Sequence, residues 1–293
     1  MKIAVCGSSG LIGTALVDAL RADGHEVLRL VRRAPQGADE ISWDPEQPLS
    51  PGKLAGVEAA VNLSGAGVGD KRWSESYKRT LVDSRVNPTH TLATALAALD
   101  PKPRVLLQGS AIGFYGDHGE TKVDETFGPA DDFLARLTVR WEAAAAPAEN
   151  AGIRVCYLRT GLVVAREGGA WGRLFPIFKF GLGGKLGNGR QYWSFISLTD
   201  HVRALKFLLT SDVSGPVNLT GPEPVTNADV TKAMGSVLHR PTLFPVPAIA
   251  LKVVLGEFST ETLRSQRVVP AVLSKAGFSF EHPTIEAAIR AAA

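Results

Sequence analysis

MKIAVCGSSGLIGTALVDALRADGHEVLRLVRR, residues 1–33, decides how the rest of the chain is read. Residues 2–6 form a short, largely apolar run of strand length, and a glycine-rich turn follows at once. Leu11, Ile12, Ala15, Leu16, Ala19 and Leu20 then recur at helical spacing, and residues 26–31 return to a strand pattern. The same alternation runs on. Strand patterns fall at 57–63 and 104–109, and helical patterns at 74–98, where Pro88 is expected to bend or divide the helix, and at 132–146. IRVCYLRTGLVV, residues 153–164, reads as one long buried strand. Near-continuously apolar strands separated by helices call for a parallel sheet covered on both faces, since an open face would leave those side chains in water.

The predicted fold is therefore α/β, a Rossmann-like doubly wound parallel sheet with a smaller, mostly helical C-terminal substrate lobe. Residues 1–165 are expected to form the nucleotide-binding domain, completed by elements from 190–225, and 166–293 the smaller lobe with interleaved elements. Helical patterns near 199–210, 227–238, 247–255 and 284–292 and a strand at 216–220 belong to this second part. Thr226 is a plausible N-cap, although Asp229 replaces the Glu or Gln of a full capping box.

Composition narrows the function classes. The chain has 293 residues, 45% of them hydrophobic, enough for a core without metals or disulfides. Its formal charge of +3 is gathered into no Lys/Arg block, so no nucleic-acid partner is expected. Cys6 and Cys156 both lie in apolar runs and read as buried thiols, and six scattered histidines offer no metal spacing. The N-terminal run enters glycines instead of a signal-peptide core, which favours a cytoplasmic protein. No apolar run reaches the ~18 residues of a membrane span, so no membrane partner is expected. LFPVPAIALKVVLG, residues 243–256, reads as core or partner surface.

Gly7, Gly10 and Gly13 sit between the first strand and the first helix, where backbone donors meet a pyrophosphate that side chains would hold away. The second strand ends at Val31 and is followed by Arg32 and Arg33, where an NAD site usually carries a carboxylate for the ribose. Arg32 is read as the contact to the extra phosphate of NADP(H) and Arg33 as a nearby aid, so NADP(H) is favoured over NAD(H). Asp39 or Glu40 would reverse this preference if the loop brought a carboxylate to the ribose.

The chain resembles the extended, atypical short-chain dehydrogenase/reductase superfamily, and within it an NAD(P)-dependent epimerase/dehydratase-like subgroup with a distinctive C-terminal module. The resemblance rests on Gly7 to Gly13, ISWDP at 41–45, VNLSGAGVGDKRW at 61–73, GSAIGFYGDHG at 109–119, LRTGLVV at 158–164 and GRQYWSFISLTD at 189–200. The tail continues it from LGEFSTETLRSQRVVP to AGFSFEHPTIEAAI. It implies cofactor contacts at Gly7, Gly10, Leu11, Ile12, Gly13, Arg32 and Gly65, and a small polar or sugar-related substrate. It also implies a homodimer surface on the helices at 74–98 and 132–146.

The superfamily's tyrosine and lysine, which pass the proton while nicotinamide exchanges hydride, are absent. Leu134 and Thr138 stand in their places, and Ala111 in that of the active-site hydroxyl. Ser110 and Tyr115 are the replacement candidates. Lys78 and Arg85, seven residues apart, are expected to share a helical face toward cofactor or substrate, with a surface ion network as the rival. The aromatic and basic stretch from Trp171 to Trp193 is expected to wall the substrate or to serve as a structural loop, and Ser197 replaces a histidine frequent in the subgroup. The functional expectation is an NADP-dependent oxidoreductase or epimerase-like protein with noncanonical proton transfer, against a noncatalytic NADP-binding sensor or regulatory module.

Overall fold

In the computed structural model, which describes residues 1–293, the first half of the chain alternates strands and helices, except over residues 26–62, where three strands follow one another with no α-helix between them. It runs β1 (Lys2–Cys6), α1 (Leu11–Ala22), β2 (Glu26–Val31), β3 (Glu40–Ser42), β4 (Ala59–Asn62), α2 (Glu75–Ala97) and β5 (Val105–Ala111). The short β6 (Lys122–Val123) precedes α3 (Phe133–Ala143), α4 (Ala146–Asn150) and β7 (Arg154–Thr160). β8 (Leu162–Val164), α5 (Gly169–Lys179), β9 (Tyr192–Trp193), β10 (Phe195–Ser197), α6 (Leu198–Thr210) and β11 (Gly215–Leu219) follow. The chain closes with β12 (Val225–Thr226), α7 (Asn227–Leu238), α8 (Ala248–Leu255), α9 (Ser259–Leu263), β13 (Arg267–Val268), α10 (Ala271–Lys275) and α11 (Ile285–Ala292).

Seven strands form one parallel sheet in the order β11-β7-β5-β4-β1-β2-β3. Strand periodicity sorts its side chains into two cores. Ile3 and Val5 face Leu16 and Leu20 of α1 and Leu205 and Leu208 of α6. Ala4 and Cys6 face Leu92 and Leu96 of α2. The order reverses between β1 and β4, and in such sheets ligands collect at the carboxyl ends of the strands beside that reversal. Cys6 and Cys156 are buried on different strands, and burial pushes both thiols up.

Four local expectations change. The run at 153–164 is two strands, because a Cβ at Gly161 would come within 2.5 Å of the Ser194 carbonyl; β8 leaves the main sheet there and pairs with β10. Pro88 does not divide α2, which runs unbroken from Glu75 to Ala97. Asp229 does complete a reciprocal capping box with Thr226, a carboxylate one carbon shorter than Glu reaching the same donor. The run at 243–256 is not core: apart from Leu251, α8 leaves its residues half-buried or exposed.

The last fifty residues thread back over the sheet. β13 pairs with β6 in parallel, and Ser194 Oγ donates to the Gln266 carbonyl at 2.7 Å. Leu273 of α10 joins the core of Val217 and Leu219, while Ile285, Ala288 and Ile289 of α11 pack with Phe195, Val230 and Met234. No helix is long and apolar enough to cross a membrane.

Candidate functional site

The glycine turn joins the carboxyl end of β1 to α1. Gly7 has φ +73°, and a Cβ there would lie 2.6 Å from the Leu63 carbonyl group; at Gly13 it would fall on the Gly7 carbonyl oxygen. Packing therefore demands both glycines. Gly10 differs, since its Cβ would meet only the Gly7 oxygen, at an ordinary 3.5 Å. It caps α1 with no side-chain hydrogen bond and no acidic residue in the first turn. The amides of Leu11, Ile12 and Gly13 are left without i−4 partners at the positive end of the helix dipole. An open approach over bare donors fits a pyrophosphate.

At the end of β2 the charges have sorted themselves. Arg33 donates to both oxygens of Glu40 at 2.7 Å, and Arg29 approaches the same carboxylate at 3.0 Å. These guanidinium partners and the Gln36 amide hold the Glu40 carboxyl down at about 2. Asp39 is paired with Arg21. Neither carboxylate is therefore free for a ribose. Arg32 has no carboxylate partner and lines a cavity of about 430 Å³ with Lys53 and Trp43. Lys53 lies in no motif, eight residues from both ISWDP and VNLSGAGVGDKRW; only the fold of the 42–54 segment brings it to the cavity that Arg32 lines.

Where β4 ends, Ser64 N–H donates to Asn62 Oδ1 and Gly65 is exposed. Gly65 rests on Arg85, whose Cζ would lie 3.0 Å from a Cβ there. Arg85 is buried, donates to the carbonyls of Leu81 and Ala66 at 3.0 and 2.9 Å, and stacks on Trp141 at 5.1 Å. Burial pulls its guanidinium down to about 10. Arg85 is thus a clamp for the loop after β4. Lys78 points elsewhere, pairing with Glu257 at 2.8 Å and Glu75 at 3.6 Å.

Ser110 and Tyr115 belong to one buried network at the carboxyl ends of β5 and β7. Ser110, 4% exposed, donates to Glu142 at 2.5 Å. Arg159 grips Glu142 at 2.9 and 3.0 Å and donates to the Tyr115 hydroxyl at 3.0 Å, which itself donates to Asn218 at 2.8 Å. Tyr115 is fully buried, and burial pushes its phenol up to about 12. Both candidate hydroxyls are spoken for by protein groups. Arg159 was a readable signal, a charge in an otherwise apolar strand that must find a partner. Glu142 hid in an alanine-rich helix end. Leu134 is half-buried, and Thr138 turns its hydroxyl back to the Leu134 carbonyl at 2.7 Å.

Around this cleft, Trp171, Phe175, Phe178 and Trp193 point into the core shared with α7 and α11, while Arg173 reaches Asp70 at 3.6 Å. Trp73 of the loop after β4 packs on Phe133 and Phe258, so the C-terminal module reaches over that loop. Ser197 caps α6, and Asp200, three residues on, is buried and accepts from the amides of Glu281 and His282 at 2.8 Å each. No three His, Cys, Asp or Glu side chains come together as a metal group.

Residues 3–220 match the model of the NAD dependent epimerase/dehydratase family, and residues 246–292 match a domain of unknown function, DUF1731. The epimerase family protein Mb2239 of Mycobacterium bovis is 48% identical over 98% of this chain and 96% of its own length. The crystal structure of human epimerase family protein SDR39U1 (isoform 2) with NADPH superposes with a TM-score of 0.93 at 31% identity, covering 100% of this chain and 99% of that one. A nucleoside-diphosphate sugar epimerase from Corynebacterium glutamicum gives a TM-score of 0.82 at 34% identity, covering 100% of this chain and 58% of that one.

Proposed function

The chain belongs to the NAD-dependent epimerase/dehydratase family, and from that premise we propose that it is an NADP(H)-dependent oxidoreductase or epimerase-like enzyme acting on a small polar or sugar-related molecule. The observation that carries the cofactor choice is Arg32, unpaired beside Lys53, while Arg33 and Glu40 consume one another. Asp44 lines the same cavity, and two cations against its one carboxylate suit a 2′-phosphate. The NADPH of the human relative points the same way.

Gly7, Gly10 and Gly13 with the amides of Leu11 and Ile12 would hold the pyrophosphate, Arg32 and Lys53 the 2′-phosphate, and Gly65 on its Arg85 clamp the inner edge of the cofactor. A bound nicotinamide supplies hydride exchange at its C4. The proton must then be handled by this chain. Ser110, already donating to Glu142, presents its remaining lone pairs as acceptors, so a substrate hydroxyl reaching Ser110 Oγ has a two-step path to the carboxylate. Tyr115 in this reading is a positioning residue, holding Arg159 and through it Glu142. A homodimer through α2 and α3 belongs to the same proposal and is checked by sedimentation velocity.

Calorimetric titration of NADPH and NADH tests the cofactor half. The wild type is expected to prefer NADPH, and Arg32→Glu to weaken NADPH by about tenfold or more while sparing NADH. Equal affinities untouched by Arg32→Glu would overturn it. For catalysis, nucleotide-linked turnover of sugar nucleotides and small hydroxy compounds is expected to fall by about 10²-fold in Ser110→Ala and less in Tyr115→Phe. NADPH binding with no turnover across that pool would favour a noncatalytic sensor.

A further inference from the structure

Nine large apolar side chains are exposed in the chain, and eight of them fall within residues 177–254. Phe180 and Leu182 follow the end of α5, and Leu243 and Phe244 run beside them at 55–78% exposure. The two stretches are bonded together: Val246 N–H donates to the Lys185 carbonyl at 2.9 Å, Gly187 N–H to the Val246 carbonyl at 2.9 Å, and Arg240 Nε to the Lys179 carbonyl at 2.8 Å. α8 begins two residues later. It is apolar nearly all round yet buries only Leu251, leaving Ile249, Val253 and Val254 about 70% exposed. A two-turn helix of this kind gains little from its own hydrogen bonds and needs a surface to lie on.

The two stretches that carry these side chains are rich in cations, with the nearest acids, Glu167, Asp200, Asp229 and Glu257, just outside them. Residues 168–199 carry Arg173, Lys179, Lys185 and Arg190 and no acidic residue, and residues 230–256 carry Lys232, Arg240 and Lys252 and again none. These two stretches hold a formal +7 in a chain whose total is +3, so the remainder is net negative. Only Arg173 has a carboxylate in reach, Asp70 at 3.6 Å. Large apolar side chains interleaved with unpaired cations are the pattern of a helix lying at a headgroup boundary.

We propose that this face docks peripherally on an anionic lipid bilayer, with the apolar side chains of α8 and of the 180–182 and 243–244 turns at the acyl boundary and the cations among lipid headgroups. Lying on a bilayer requires no spanning helix. A second copy seated by two-fold symmetry would set one set of cations against the other, so self-association on this face is disfavoured. The face adjoins the cleft, since Arg72 of the loop after β4 donates to the Val253 carbonyl.

Flotation of the full-length protein with vesicles of phosphatidylcholine, with and without phosphatidylglycerol, tests this. Binding is expected on the anionic vesicles, weaker by about tenfold or more on phosphatidylcholine alone, and reduced by salt. Val253→Glu and Ile249→Glu are expected to abolish flotation, and Lys179→Glu with Lys252→Glu to weaken it, with circular dichroism and NADPH binding unchanged. Failure to float on any composition overturns the proposal, as does flotation indifferent to these variants. A dimer dissolved by Val253→Glu would assign the face to a second copy, and polyglutamate binding tighter than vesicle binding would assign it to an acidic protein.

Discussion

Gly10 and Gly13 stand three residues apart and would answer the same added methyl group differently. At Gly13 the methyl meets the Gly7 carbonyl, a rigid neighbour, so Gly13→Ala is expected to cost about 2 kcal/mol or more, read as a shift in the urea midpoint. At Gly10 the methyl meets only an ordinary contact and the loss is that of the N-cap preference, so Gly10→Ala should cost about 1 kcal/mol or less and weaken NADPH by about tenfold; an unchanged affinity would remove Gly10 from the cradle. His201 carries a second prediction. It is fully buried with Nε2 3.1 Å from Thr160 Oγ1, and burial pulls it down to about 3 from an ordinary 6.5. Between those values the unfolded chain binds a proton that the folded chain refuses, so stability is highest above 6.5 and falls as pH drops toward 3, by up to about 1.4 kcal/mol per pH unit. His201→Gln should flatten that limb, seen by comparing urea midpoints of both proteins from neutral to acid pH. At this scale the sequence was informative about glycines, whose spacing reflects backbone approach. It was mute about Lys53 and Glu142, which have no local pattern and acquire meaning only from what folds beside them.

Elements end where local chemistry tells them to, and the end at Thr226 was readable in the sequence. Ser197, Thr226 and Thr284 each cap a helix by accepting an amide hydrogen bond. What was not readable is how ends are shared between distant segments. Asp200 stands in the first turn of its own helix, yet it also anchors the backbone of Glu281 and His282 and pairs with Arg203 at 2.7 Å. Asp200→Ala leaves these donors unmatched in a buried place and is expected to cost about 3 kcal/mol, with limited proteolysis cutting first near residue 281. Cleavage elsewhere, or a midpoint shift below about 1 kcal/mol, would reduce Asp200 to an ordinary first-turn acid. The long strand expected at 153–164 failed for a related reason: apolar periodicity is blind to the Ser194 carbonyl that presses on Gly161.

The whole molecule is knit by its C-terminal segment. Leu273 completes the core beside β11, Asn218 Nδ2 donates to the Val269 carbonyl at 3.0 Å, and α11 seals the core of α5 and α7. Truncation after residue 245 would expose both apolar surfaces, so the shortened chain should lose its cooperative unfolding transition, while the full chain shows a single one by calorimetry. Two resolved transitions in the full chain would mean that the lobes fold independently. The sequence by itself determined the parallel sheet, the glycine turn, the arginine at the end of β2 and the absence of the tyrosine–lysine pair. The first three are written in neighbouring residues or in a period set by backbone geometry, and the last in the resemblance to the superfamily. Only the tertiary structure decided that Glu40 neutralises Arg33 and leaves Arg32 free, that Ser110 and Tyr115 are joined through Glu142 and Arg159, and that 243–256 faces outward. Those outcomes depend on which charges and surfaces meet across dozens of residues, and a charge or an apolar run carries no mark of its partner until the chain has folded.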